Sequence, residues 1–373
     1  MEPVTHFLTG ACLGRTGFNR RTALATLTMT LAAEAADIDV LWGIKGSIAD
    51  LEHHRGITHS FVGVPFVAAF VLILVYGWAQ VRKHFPSRRR KKPLASDNPD
   101  ARLVSQQLPE RWGYLYFLAL IAALSHLLLD YTTAYGIRLF EPFNYRWYSW
   151  DIVFIVEPLM LVVLLAGLTL PSLFGLVNQE IGVRSKGPRG RGGAIFALVC
   201  VVVIWGVRDF QHRRALSSLD ARTYDGAEPL RVAAYPYMVT PFRWYGVVET
   251  ANFFKNVPVN SLGPEIGGES QGTTYYKPEE TPASLAAKAS YMGRVYLDWA
   301  VFPYLQVYRL RDGTLGYLAE FQDLRYAYPD LRGGRSPLTG YVVLSPDLNV
   351  LDEGMHTRNS PTVESLEEGQ QPK

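Results

Sequence analysis

Residues 60–81 read SFVGVPFVAAFVLILVYGWAQV, an apolar run with no charged residue in its interior. About twenty such residues are what a helix needs to cross a hydrocarbon layer of about 30 Å. In that medium backbone polar groups must find partners within the protein, which leaves a helix as the solution for a single run. Residues 112–135, 152–177 and 193–207 read as three further spans, the last short enough to rely on flanking aromatics and a snorkelling Arg208. Residues 22–42 form a weaker fifth, because Glu34, Asp37 and Asp39 crowd its end. The first fourteen residues lack a basic leading segment and are interrupted by His6, so a cleaved leader is not expected.

These runs are confined to the first 210 of 373 residues, so the chain divides into unlike halves. From residue 230 to 350 the pattern changes to short alternating stretches such as Arg243-Trp244-Tyr245-Gly246-Val247-Val248-Glu249 and Tyr304-Leu305-Gln306-Val307-Tyr308-Arg309-Leu310. Period-two alternation rich in Tyr and Val and broken by Gly and Pro predicts antiparallel strands. Residues 284–296 read as one helix. The expected fold class is a multipass α-helical membrane domain (1–210) followed by a mostly β (α+β) soluble domain (211–352) and a polar, disordered tail (353–373). A net charge of +3, patchy along the chain, gives no general affinity for nucleic acid. Cys12 and Cys200 lie in apolar segments without zinc-ligand spacing and read as small buried side chains.

Loop charge predicts direction. Residues 82–92 carry seven Lys or Arg, and residues 184–191 carry four basic residues with no acid. The positive-inside bias places both loops in the cytoplasm and the C-terminal half outside it. The polar residues were not used in that assignment, yet they agree with it. His54 and His59 precede an inward-running span, and His126 with Asp130 falls late in an outward-running one, so both groups reach the outer level. Arg15, Arg20 and Arg21 form a basic turn; with it inside, a rise of about 1.5 Å per residue carries His6 and Asp37 roughly 14 to 24 Å outward.

His126 and Asp130 are four residues apart and share one helix face. His54 and His59 are five apart, about 140° around an ideal helix, so Gly56 is expected to break the backbone and turn both rings inward. Imidazole and carboxylate without thiolate suit zinc, manganese or iron, zinc first for hydrolysis. A bound metal would acidify its water, and Arg55 would hold a phosphate oxygen. Plainer readings stand beside these. His6 alone is an interfacial side chain, His126–Asp130 a structural pair between helices, Glu34 a helix-end marker, and the basic loop at 82–92 a topology determinant touching lipid headgroups.

The elements Thr5-His6-Phe7, Asp37-Ile38-Asp39, His54-Arg55-Gly56-Ile57-Thr58-His59-Ser60 and Ser125-His126-Leu127-Leu128-Leu129-Asp130-Tyr131 occur in the order of the membrane-bound metal-dependent hydrolases, which the chain resembles over residues 1–210. That family is also described as LexA-binding inner-membrane-associated hydrolases. Residues 140–158, with Pro142, Asp151 and Glu157-Pro158, are similar to its next block. The resemblance implies a multipass protein of the bacterial inner membrane with a His/Asp metal centre, distantly similar to zinc-dependent phospholipase C and P1 nuclease. By motif position it implies His6, Asp39, His54, His59, His126 and Asp130 as ligands, with Asp37 close behind. Ala35-Ala36 stands where the family has Leu-Pro, and Glu157 where it more often has aspartate; neither departure removes a ligand.

The leading expectation is hydrolysis of a phosphoester, including a lipid-linked one, by metal-activated water at the outer membrane face. Arg55 would stabilise developing charge, and Asp37 or Glu157 would act as base or orienting group. The rival is a metal-stabilised membrane platform for a protein partner, which a closed ligand shell would favour. Ion transport along the intramembrane carboxylates is the third reading. It needs polar groups continuing to the cytoplasmic side, where these spans are almost wholly apolar.

Overall fold

Pro3 opens the first helix at a position where its missing N–H costs nothing and its fixed φ suits a helix start. In the computed structural model, which describes residues 1–85, 108–180, 190–263, 272–310, 316–328, 338–357 and 360–363, this helix α1 covers Pro3–Arg15. It is followed by α2 (Ala25–Glu34), a 3-10 stretch (Ala35–Lys45), α3 (Ser47–His53), a short 3-10 turn (Ile57–His59) and α4 (Gly63–His84). Then come α5 (Trp112–Tyr131), α6 (Pro158–Glu180) and α7 (Arg191–Asp220). The basic stretches at 86–92 and 184–189, and tail residues 364–373, lie outside the described residues.

The chain forms two compact units that do not follow its linear halves. The first comprises Met1–Ile38, Arg55–Trp150 and Ile155–Gly206; the second comprises Asp39–His54, Asp151–Phe154 and Val207–Lys373.

Among the described residues, three helices are long and apolar enough to cross a membrane: α4, α5 and α7. On α4, Val64, Val67, Ala68, Val71 and Val75 are buried, whereas Phe66, Phe70, Ile73 and Trp78 are exposed, which separates a packed face from a lipid-facing one. The packed face meets Ala25, Met29, Ala32 and Ala33 of α2 and Leu115, Leu118, Ala119 and Ala122 of α5. Small residues suit a medium in which apolar side chains gain little by leaving lipid and close packing drives association. Gly10 and Gly14 carry this furthest. A Cβ on Gly10 would lie 2.6 Å from the Met29 carbonyl, and one on Gly14 2.6 Å from Thr26 Cα, so α1 and α2 pack backbone against backbone.

Two expected spans take another form. Residues 22–42 break into the ten-residue α2 and the 3-10 stretch; at about 1.5 Å per residue α2 is too short to cross. The break comes where Asp37 and Asp39 follow one another, and a straight continuation would carry both carboxylates on into an apolar stretch. The expected span at 152–177 becomes α6, which starts only at Pro158 and runs to Glu180.

The second unit holds two four-stranded antiparallel sheets. One runs β1 (Arg231–Pro236), β2 (Arg243–Glu249), β3 (Phe253–Asn260), β4 (Thr273–Tyr276); the other runs β5 (Pro303–Arg309), β6 (Tyr317–Asp323), β7 (Thr339–Leu344), β8 (Val350–Met355). Each strand pairs with its sequence neighbour. Between the sheets in the chain lie α8 (Pro282–Ala289) and α9 (Tyr291–Trp299) rather than one helix. Ser290 causes the split, since its extended backbone ends α8 while its hydroxyl accepts the Gly293 N–H at 3.0 Å and caps α9. Segment Asp39–His54 joins this unit through Tyr291, which donates to Glu52, and through the Met355 N–H, which donates to Ser47 Oγ at 3.2 Å.

Candidate metal centre

Four pieces of the first unit converge on one polar point. Helix α1 brings His6, the 3-10 stretch after α2 brings Asp37, the turn at Ile57–His59 brings His59, and α5 brings His126 and Asp130 one helical turn apart. His6, His59, His126 and Asp130 are fully buried; the Asp37 side chain retains 23% exposure and is the member open to approach.

Ligand-capable atoms of Asp37, His59, His126 and Asp130 all lie within 4.8 Å of one another. His59 Nε2 and His126 Nε2 are 2.9 Å apart. Asp130 Oδ2 is 3.2 Å from each of them, and Asp37 Oδ1 lies 3.3 and 3.5 Å from them. The far side of each ring explains its orientation. His126 Nδ1 donates to the Ala33 carbonyl at 2.7 Å, so in the neutral ring Nε2 carries a lone pair that faces the cluster. His59 Nδ1 meets Thr58 Oγ1 at 3.1 Å, which holds that ring in place.

Asp130 is the hub. Arg55 Nη2 donates to its Oδ1 at 2.9 Å, His6 Nε2 stands 3.4 Å from Oδ1, and the Met1 ammonium contacts the same oxygen. Its Oδ2, also buried, has no hydrogen bond among the described residues. Arg55 is held by Thr133 Oγ1 at 3.2 Å and by the Tyr135 ring 4.7 Å beneath its guanidinium. Its backbone lies at φ 61, a left-handed conformation that costs a non-glycine residue free energy and is retained where surrounding contacts impose it. His6 stacks on His126 with ring centroids 3.9 Å apart.

Two imidazole nitrogens and two carboxylates packed this closely form a ligand set for a cation, and the donors are those that first-row divalent metals take. The residues therefore fit a metal ion. The four come together without His6, which stands beside them through Asp130 and His126. Asp39 and His54 belong to the second unit and pair with each other, Asp39 Oδ1 to His54 Nδ1 at 3.0 Å. Glu157 is fully buried, and its carbonyl accepts the Leu161 N–H in the first turn of α6; it is not one of the four. Supporting groups that the sequence reading passed over are the Ala33 carbonyl, Thr133 and Tyr135. A polar Thr132-Thr133 pair directly after an apolar run was the available signal for Thr133.

The class defined by this arrangement is a membrane protein with a His/Asp cluster able to hold a metal ion. The model of the YdjM inner membrane protein family matches residues 1–215, and the chain belongs to that family. That match contains the whole cluster. The chain is also 24% identical over 178 residues to YfhP, an uncharacterized protein of Bacillus subtilis (strain 168), covering 46% of this chain and 46% of YfhP. The chain thus aligns with less than half the length of that relative. No solved structure matches the chain.

Proposed function

We propose that this protein is a metal-dependent phosphoester hydrolase of the inner membrane, with zinc as its ion and its cluster at the outer face of the bilayer. The observation that carries the reading is the convergence of Asp37, His59, His126 and Asp130 within 4.8 Å, with Asp37 left accessible. These four would hold the ion; a divalent cation there supplies a Lewis acid and acidifies water. Asp130 is oriented by Arg55, which acts on the site through that carboxylate. Arg55 also brings positive charge to the level where a phosphoryl oxygen would gain negative charge. Glu157, a buried carboxylate at the start of α6, is assigned the role of base or orienting group. Likeness to the zinc-dependent phospholipase C and P1 nuclease fold, and the extracytoplasmic side for the β unit, belong to this proposal.

The complete burial of His59, His126 and Asp130 favours a second reading, a structural metal in a membrane platform that binds a protein partner. Elemental analysis of purified protein, wild type against His59→Ala and His126→Ala, separates these readings when coupled to a screen of phospholipid and phosphomonoester turnover. Metal lost in both variants together with wild-type turnover supports the hydrolase. Metal lost without any turnover supports the platform, and unchanged metal in both variants defeats the site.

A further inference from the structure

Away from the cluster, the first unit carries a groove of about 740 Å³ between α1, α2 and α6. Its walls are Phe7, Ala11, Thr30, Leu31, Leu165 and Leu168, and its end is Arg15. Phe7, Ala11 and Arg15 follow at four-residue intervals on α1, so the groove runs along one helix face for about 12 Å at 1.5 Å per residue. Phe7, Leu31 and Leu165 are exposed, which leaves an open, apolar channel in a membrane unit.

The charge at its end selects the occupant. Arg15 Nη1 donates to the Leu168 carbonyl at 3.1 Å, and no carboxylate pairs with Arg15 among the described residues. A second guanidinium lies nearby: Arg191 Nε is 3.5 Å from the point where a side chain on Gly17, two residues beyond Arg15, would begin. Arg191 likewise has no carboxylate partner among the described residues. Arg15 at the end of an apolar channel, with the Arg191 guanidinium beside Gly17 two residues on, matches a molecule with an anion at one end and a hydrocarbon chain at the other. A zwitterionic lipid sets a cation beside its phosphate, which two guanidinium groups disfavour, and a soluble anion cannot fill the channel.

We propose that the groove binds one anionic phospholipid, its phosphate on Arg15 and Arg191 and an acyl chain lying over Ala11 toward Phe7. The site uses none of the four cluster residues, so it stands or falls separately from the hydrolase reading.

The full chain, purified in mild detergent and reconstituted in nanodiscs of phosphatidylcholine with or without phosphatidylglycerol, tests this by native mass spectrometry of retained lipid. Wild type is expected to retain phosphatidylglycerol in preference to phosphatidylcholine. Ala11→Phe, which fills the channel, is expected to abolish retention. Arg15→Gln keeps an N–H for the Leu168 carbonyl but removes the charge, and should reduce the preference for phosphatidylglycerol about fivefold, the worth of one basic residue at an anionic surface. Inorganic phosphate alone should not displace the lipid. Equal retention in Ala11→Phe, an unchanged preference in Arg15→Gln, or wild-type protein that carries no lipid and associates as a dimer would each overturn the proposal. If Ala11→Phe loses its helical circular dichroism, the Arg15→Gln preference decides alone.

Discussion

Both units bury charge, but they do so in opposite ways. In the β unit, Asp323 accepts from the Val301 N–H at 2.8 Å, the Arg325 N–H at 2.9 Å and Arg325 Nε at 2.8 Å, while Arg325 Nη2 donates to the Trp299 carbonyl at 3.1 Å. Burial opposes the Arg325 charge, yet Asp323 outweighs it and holds the guanidinium above its ordinary range. The Trp299 ring, 4.5 Å away, covers one face. Both members of this pair have internal partners, and the pair reads as structural. In the membrane unit, Asp130 Oδ2 is buried without a hydrogen bond and faces two imidazole nitrogens at 3.2 Å. Burial alone therefore does not mark a functional site. Ligand atoms of several side chains that crowd one point do.

That contrast can be broken experimentally. The largest effect is expected from Asp130→Ala, which removes the hub: metal retention after dialysis should fall more than about 100-fold, beyond the range usual for groups that only support a ligand. Arg55→Gln, which breaks the ion pair with Asp130, should weaken metal affinity by about 10- to 100-fold. In the β unit Asp323→Ala strands a buried guanidinium and should destabilise that unit by about 3–5 kcal/mol in denaturant unfolding, with metal content unchanged. A loss of metal in Asp323→Ala would erase the distinction between the two regions.

Gly10→Leu tests the packing beneath the cluster. Its side chain would enter the Met29 carbonyl and Ala33, so overpacking of about 1–3 kcal/mol is expected in thermal unfolding. The smallest effect concerns Glu249. Burial pushes its carboxyl up, but Lys277 at 2.8 Å and Arg231 outweigh this and hold it below the ordinary carboxylate value. A depressed folded-state value means the stabilisation is present above the ordinary carboxylate range and is lost as pH falls through the lower folded value. Glu249→Gln should therefore narrow the gap between neutral and acid stability of the β unit, and an unchanged gap would remove Glu249 from that account.

Length and apolarity are local properties, which is why residues 60–81 and 112–135 were legible as α4 and α5. Alternation served equally well for β2 and β5. What escaped depended on a single local hydrogen bond or on contacts between distant residues. The split at Ser290 follows from a capping hydroxyl inside an otherwise helical pattern. The membership of Asp39–His54 in the β unit rests on Glu52 and Ser47 meeting Tyr291 and Met355, more than two hundred residues away. For the site, His126 and Asp130 could be paired from their four-residue spacing. His54 and His59 look alike in the sequence, and only the fold sends His59 to the cluster and His54 to Asp39. Gly10-Ala11-Cys12-Leu13-Gly14 was a readable small-residue motif for close helix packing that the analysis of hydropathy passed over.

The central claim is that a single cluster, made by Asp37, His59, His126 and Asp130, holds the metal. Elemental analysis of the intact protein beside His126→Ala and His54→Ala tests it most directly. The account predicts metal in wild type, its loss in His126→Ala and its retention in His54→Ala. Retention in His126→Ala, or equal loss in both variants, would contradict it.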